Sequence, residues 1–176
     1  MTRMAEPSSS KPSPITRFDG AVASVNAVVA STLLVLLTLD VLWGVTSRFF
    51  LDGQARWSEE AARLLLVWVS LLGGAVAYSS GAHLGLDLLV ERMDPAVGRM
   101  CRRCAAGVVY LFAVGVMVVG GAWLYAERLG FGQTMPALGI SRAWQYLAVP
   151  ISGSLIAISA VREVFEPRGV EHGAIP

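Results

Sequence analysis

Four long apolar runs separated by short polar stretches set the pattern of this chain. The first extends from Gly20 to Ser47 and holds one charge, Asp40. The second opens at Trp57 and carries no Asp, Glu, Lys or Arg from Leu64 to Leu86. The third, Cys104 to Ala126, also lacks those residues, and the fourth, Ala143 to Val161, is closed by Arg162 and Glu163. A helix needs about 20 apolar residues to cross the hydrocarbon core, and each run is long enough. None shows the polar alternation of a barrel strand. The pattern predicts an all-α integral membrane protein with four transmembrane helices, at about 20–47, 57–82, 104–126 and 143–162, within one membrane domain at 20–165.

The stretch between the second and third runs has its own periodicity. Leu86, Leu89, Val90, Met93, Val97 and Met100 recur at helical spacing, while Asp87, Glu91 and Asp94 fall on another face. Such a segment predicts an amphipathic arm helix lying in the interface, at about 84–103. Asp94-Pro95 reads as an N-cap followed by proline at the first helical position, so one short helix should stop there and another should run into the third span. Residues 1–19, rich in Ser, Pro and charge, and residues 166–176 read as cytoplasmic tails, the first of them disordered.

Composition supports a bilayer environment. Of 176 residues, 55% are hydrophobic and only 15% charged, against about a quarter charged in soluble domains. A net charge of +1 lacks the basic surplus of a nucleic-acid binder. The first apolar run follows a long polar tail and is too long for the core of a cleavable signal peptide. Orientation follows Lys and Arg in the short connections. Arg3, Lys11, Arg17, Arg92, Arg99, Arg102, Arg103, Arg162 and Arg168 lie on one side, against Arg48, Arg56, Arg63, Arg128 and Arg142 on the other. Both termini should therefore be cytoplasmic. Trp43, Phe49, Phe50, Trp57, Trp123, Tyr125, Trp144 and Tyr146 gather at the opposite, outer ends, as an interfacial belt would.

Few residues suggest chemistry. Ser58 can cap the second span, Glu59 and Glu60 suit its first turn, and Glu59 and Arg63 are spaced to pair. This reads as a charged collar, or as a contact in which Glu60 and Arg63 meet a partner. Asp40, about two turns inside the outer end of the first span, should face protein or water. It is either a proton or substrate site or a structural acid hydrogen-bonded near Thr38, Thr46 or Ser47. His83 reads as an interfacial anchor, paired with Asp87, because a metal or haem site needs more ligands than the chain's two histidines offer. Cys101 and Cys104 have redox spacing but open a membrane helix on the reducing side, which favours packing or chance. Gly73, Gly74, Gly115, Gly120, Gly121, Ser152, Gly153 and Ser154 permit close helix contact, in a closed bundle or against a larger subunit. No metal or cofactor is expected.

Several short motifs in fixed order resemble one family. They are Ser47-Arg48-Phe49-Phe50, Trp57-Ser58-Glu59-Glu60, Leu66-Val67-Trp68, Leu72-Gly73, His83-Leu84 and Asp87. The run Thr134-Met135-Pro136-Ala137-Leu138-Gly139-Ile140 follows, leading through Trp144 and Tyr146 to Pro150. Over roughly residues 20 to 165 the chain resembles the small permease subunit of TRAP transporters, the DctQ-like family. The resemblance implies a non-enzymatic subunit of the bacterial inner membrane, with four spans, both termini inside and an arm helix after the second span. It also implies two partners, a large permease subunit that the chain braces during sodium-coupled uptake and a periplasmic binding protein that delivers a small organic anion. Candidate partner-interface residues are Arg48, Trp57, Glu59, Glu60, Arg63, His83 and Asp87. Asp40 and the cysteines are not part of this pattern.

Rival readings fit less well. A quinone-linked thiol oxidase needs outward-facing cysteine pairs, and a haem bundle needs paired intramembrane histidines. A stand-alone small exporter using Asp40 as its coupling acid would normally be shorter and lack the arm.

Overall fold

A computed structural model of the protein describes residues 14–50, 55–80 and 95–165. Its helices are α1 (Pro14–Phe50), α2 (Arg56–Ser79), α3 (Pro95–Phe112), α4 (Gly121–Gly130) and α5 (Ala143–Phe165). A π-helical segment, Ala113–Gly120, joins α3 to α4, so Pro95–Gly130 is one continuous third span. Four helical stretches are long and apolar enough to cross a membrane.

Two boundaries differ from the hydropathy reading. Pro14 to Asp19, assigned above to the tail, are already helical, since proline is tolerated in a first helical turn and its ring presets φ. The second helix ends at Ser79, where Ser80 N–H and Oγ both bond to the Val76 carbonyl. Residues 95–103 of the expected arm belong to α3. The remainder of the arm, with His83 and Asp87, lies outside the described residues.

α1 meets α2 along one seam. Ala23, Asn26, Ala30, Leu33, Leu37, Asp40, Gly44 and Ser47 are among its buried or half-buried positions and are spaced alternately three and four residues apart, with Val22 and Ala27 beside them. That is the spacing of a left-handed helix pair. Two hydrogen bonds set its antiparallel register. Asn26 Nδ2 donates to the Leu72 carbonyl (3.3 Å), and Ser58 Oγ donates to the Asp40 carbonyl (3.2 Å). The two anchor points are separated by the same stretch on each helix, 26 to 40 and 58 to 72, so the register holds over four turns. Asn26→Leu is expected to loosen this seam, lowering the melting point of the purified protein by the equivalent of about 0.6–1.7 kcal/mol, the range measured for interhelical bonds in membranes. An unchanged melting curve would remove Asn26 from the register.

The third and fourth spans pack more closely. Gly153 of α5 lies against the π segment, where a Cβ would stand 2.5 Å from Met117 Cβ and 3.2 Å from the Ala113 carbonyl oxygen. One turn toward the start of α5, Pro150 lies against Gly121, where a Cβ would come within 3.0 Å of its ring. Ala113, Ser152 and Gly153 are buried there. By contrast, Gly73, Gly74 and Gly115 face open space.

The spans form an open row, not a closed bundle. α1 packs on α2, α2 on α5, and α5 on the third span; α1 touches α5 only slightly. Among the described residues the third span meets neither α1 nor α2. In the most apolar stretch of each span, only 6% to 22% of residues are buried. A recess of about 390 Å³ between α1, α2 and α5 is lined by residues such as Val25, Val29, Trp68, Leu72, Ile151 and Leu155, which offer no charge to an anion.

Candidate partner interface

The antiparallel spans bring the C-terminal ends of α1 and α4 to the same end of the molecule as the N-terminal ends of α2 and α5. Trp43, Phe49, Phe50, Trp57, Trp123 and Trp144 are all exposed at this end. The connection 131–142 crosses it as a structured hairpin. Met135 N–H donates to the Ile140 carbonyl (2.8 Å), and Arg142 N–H to the Gln133 carbonyl (2.9 Å). Gly139 N–H closes back on the Met135 carbonyl (2.8 Å), with Gly139 at φ +67°. That φ suits glycine, which carries no Cβ to clash. Met135 is buried beneath the turn, while Pro136, Ala137 and Ile140 are exposed.

The turn leaves two amide N–H groups to satisfy, those of Ala137 and Leu138. Both donate to a single oxygen of Glu60, at 3.0 and 3.1 Å. Glu60 lies in the second turn of α2, 77 and 78 residues away in sequence. A carboxylate oxygen accepting two amides makes charge-assisted bonds, about twice as strong as neutral ones. Glu60 therefore has a partner within the chain, the 131–142 hairpin. Trp68 adds a second tie between α2 and α5, its Nε1 donating to the Trp144 carbonyl (3.3 Å).

The other residues of the collar separate. Arg63 pairs with Glu59 at 2.6 Å, with both side chains more than half exposed (68% and 58%). An ion pair this open contributes about 0–1 kcal/mol in an aqueous setting, which leaves both charges on the surface. Arg48 and Trp57 are exposed too. Ser58 is not the cap of α2. The capping position is Ala55, with no side-chain bond, and Ser58 sits inside the helix, buried against α1. Spacing could not distinguish a capping hydroxyl from one turned across a helix seam.

Asp40 differs from expectation as well. Both carboxylate oxygens are buried, with no hydrogen-bond partner among the described residues. Thr38, Thr46 and Ser47 bond to carbonyls of their own helix, those of Leu34, Leu42 and Gly44. A hydroxyl in a membrane helix has its own backbone within reach, so none turns to the acid. Elsewhere, the Arg128 guanidinium lies 5.6 Å from the Tyr146 ring centroid and 5.9 Å from that of Phe131, tying the end of α4 to α5 and to the hairpin. Cys101 and Cys104 are free and exposed near the far end of the third span. Among the described residues no three His, Cys, Asp or Glu side chains converge as a metal site would require.

Residues missed by sequence reasoning are Asn26, Ala137 and Leu138. Asn26 had a visible signal, as a lone amide on the three-four spaced face of α1. The two backbone donors had none.

Residues 21–168 match the family model of the DctQ component of tripartite ATP-independent periplasmic transporters. The sialic acid TRAP transporter small permease protein of Vibrio cholerae serotype O1 is 24% identical over 144 residues, covering 82% of each chain. The C4-dicarboxylate TRAP transporter small permease protein of Rhodobacter capsulatus is 28% identical over 109 residues, which are 62% of this chain and 48% of that protein. The isethionate TRAP transporter permease protein DctMQ of Oleidesulfovibrio alaskensis is 24% identical over 134 residues, 75% of this chain but 21% of that much longer one.

Proposed function

The chain belongs to the DctQ component family of tripartite ATP-independent periplasmic transporters, and from that premise we propose that it braces a large permease subunit during sodium-coupled uptake of a small organic anion. The observation that carries this reading is the open row of spans. Helices with so little buried area leave two broad apolar faces, and such faces suit a stationary partner in the membrane as well as lipid. Secondary transporters gather polar ligands and broken helices near the midplane. Here the one acid inside the described apolar runs, Asp40, lies near the outer end of its span and is sealed in a helix seam. That seal also counts against a stand-alone exporter coupled through Asp40.

The substrate reading rests on the relatives. Those named above are described for sialic acid, C4-dicarboxylate and isethionate, which are all organic anions. The first two are carboxylates and the third is a sulfonate, so the shared chemistry is the anionic group, and a carboxylate is our choice for this system. A periplasmic binding protein would deliver it to the aromatic end, with both termini on the cytoplasmic side of the inner membrane, as the Lys and Arg distribution favours. Arg48, Trp57 and the exposed Glu59–Arg63 pair are described side chains at that end that stand open to a partner. His83 and Asp87 remain candidates at the other.

Affinity purification of the tagged chain from native membranes in mild detergent tests the proposal. A much larger polytopic subunit is expected to co-elute in a fixed ratio. Recovery of the chain alone, or substrate uptake by the chain reconstituted alone, would overturn the bracing role.

A further inference from the structure

Glu60 reaches across the molecule to hold the tip of a distant turn. The hairpin 131–142 closes on itself through Gln133–Arg142 and Met135–Ile140 bonds, but those bonds fix only its internal shape. Two bonds from Ala137 and Leu138 to Glu60 tie its tip to α2. Neighbouring ties act elsewhere. Trp68 bonds to α5 beyond the hairpin, and Arg128 joins α4 to Phe131 and Tyr146. The tip held by Glu60 presents Pro136 and Ala137 outward, with Ile140 at its shoulder.

We infer that Glu60 is a positioning residue for docking of the soluble binding protein. Its carboxylate oxygen locks the Pro136–Gly139 turn in the orientation that partner meets. This rests on the proposed function and deepens it by assigning a residue to one of the two partners. Two observations carry it. Both bonds converge on one oxygen, so they are made or lost together. The turn lies outside the spans, between the end of α4 and the start of α5, where a soluble partner has access and a membrane subunit has little purchase. A neutral isostere keeps an acceptor oxygen for both amides, with weaker bonds than the carboxylate makes.

The experiment uses the full membrane complex in proteoliposomes, driven by a sodium gradient and titrated with substrate-loaded binding protein. Glu60→Ala is expected to raise the binding-protein concentration for half-maximal uptake roughly five- to thirty-fold, as losing 1–2 kcal/mol of positioning would. Maximal uptake and recovery of the large subunit should change little. Glu60→Gln keeps an amide oxygen for the two donors and should show a clearly smaller rise than Glu60→Ala, because its bonds are weaker but not lost. Half-saturation unchanged in Glu60→Ala, or a fall only in maximal rate, would overturn the assignment. So would equal defects in the Gln and Ala variants, because charge and not the latch would then matter. Loss of the large subunit from Glu60→Ala would also overturn it, by making Glu60 a bracing contact. Failure of wild-type chain to recover a large subunit would instead strike the proposed function itself.

Discussion

Gly153→Leu is expected to abolish assembly of the third and fourth spans, and Gly153→Ala to weaken it measurably. At this point α5 lies directly on the π segment. A Cβ added at Gly153 meets Met117 Cβ at 2.5 Å, the Ala113 carbonyl oxygen at 3.2 Å and the Met117 carbonyl carbon at 3.3 Å. Two of those atoms are backbone and the third is the root of a side chain, so none can rotate away. The helices must separate, and overpacking of this kind costs about 1–3 kcal/mol for a small insertion and more for a large one. Lost dispersion adds to that, because close backbone approach is what holds membrane helices together. Tryptophan-monitored melting in detergent should show Gly153→Ala below wild type and Gly153→Leu without a cooperative transition. Gly74→Ala and Gly115→Ala, where a methyl meets nothing within 4 Å, should stay within about 0.5 kcal/mol of wild type. Gly153→Ala melting like wild type would mean that the two spans do not approach this closely.

The second large effect has the opposite sign. Asp40→Val should stabilise the protein. Both oxygens of Asp40 are buried without a partner, and a buried unsatisfied polar group costs about 1–3 kcal/mol. Valine is the apolar side chain nearest in size that keeps the seam filled. The bond that Asp40 accepts from Ser58 Oγ uses the backbone carbonyl and survives the change. A melting point several degrees above wild type is expected. In the full complex, Asp40→Asn should retain most uptake, as the proposed bracing role requires. If Asp40→Asn complexes assemble normally yet transport nothing, Asp40 belongs to the transport mechanism and the chain is more than a brace.

Much of the architecture was legible before any coordinates. Continuous apolar runs of sufficient length can only be helices in lipid, because every backbone amide there must bond within its own segment. The Glu59–Arg63 pair was legible too, since i and i+4 are neighbours on any helix. Both inferences rest on local geometry, which spacing determines. The roles of Ser58, Asp40 and the small residues depend on what stands across a helix seam, which spacing does not encode. Ser58 reads as a cap from its position and is a cross-helix donor in the fold. Gly73 and Gly153 look alike in sequence, yet one faces open space and the other a neighbouring backbone.

By itself the sequence determined that this is a four-span helical membrane protein of the DctQ family, through run length, charge spacing and a sparse set of ordered motifs. Only the tertiary structure decided that the spans stand in an open row, that Asp40 is sealed and unpaired, and that Glu60 turns to Ala137 and Leu138 across 77 and 78 residues. The physical reason is common to all three. In a bilayer every outward helix face is apolar whether it meets lipid or another helix, so hydrophobicity marks the spans without saying which of them touch.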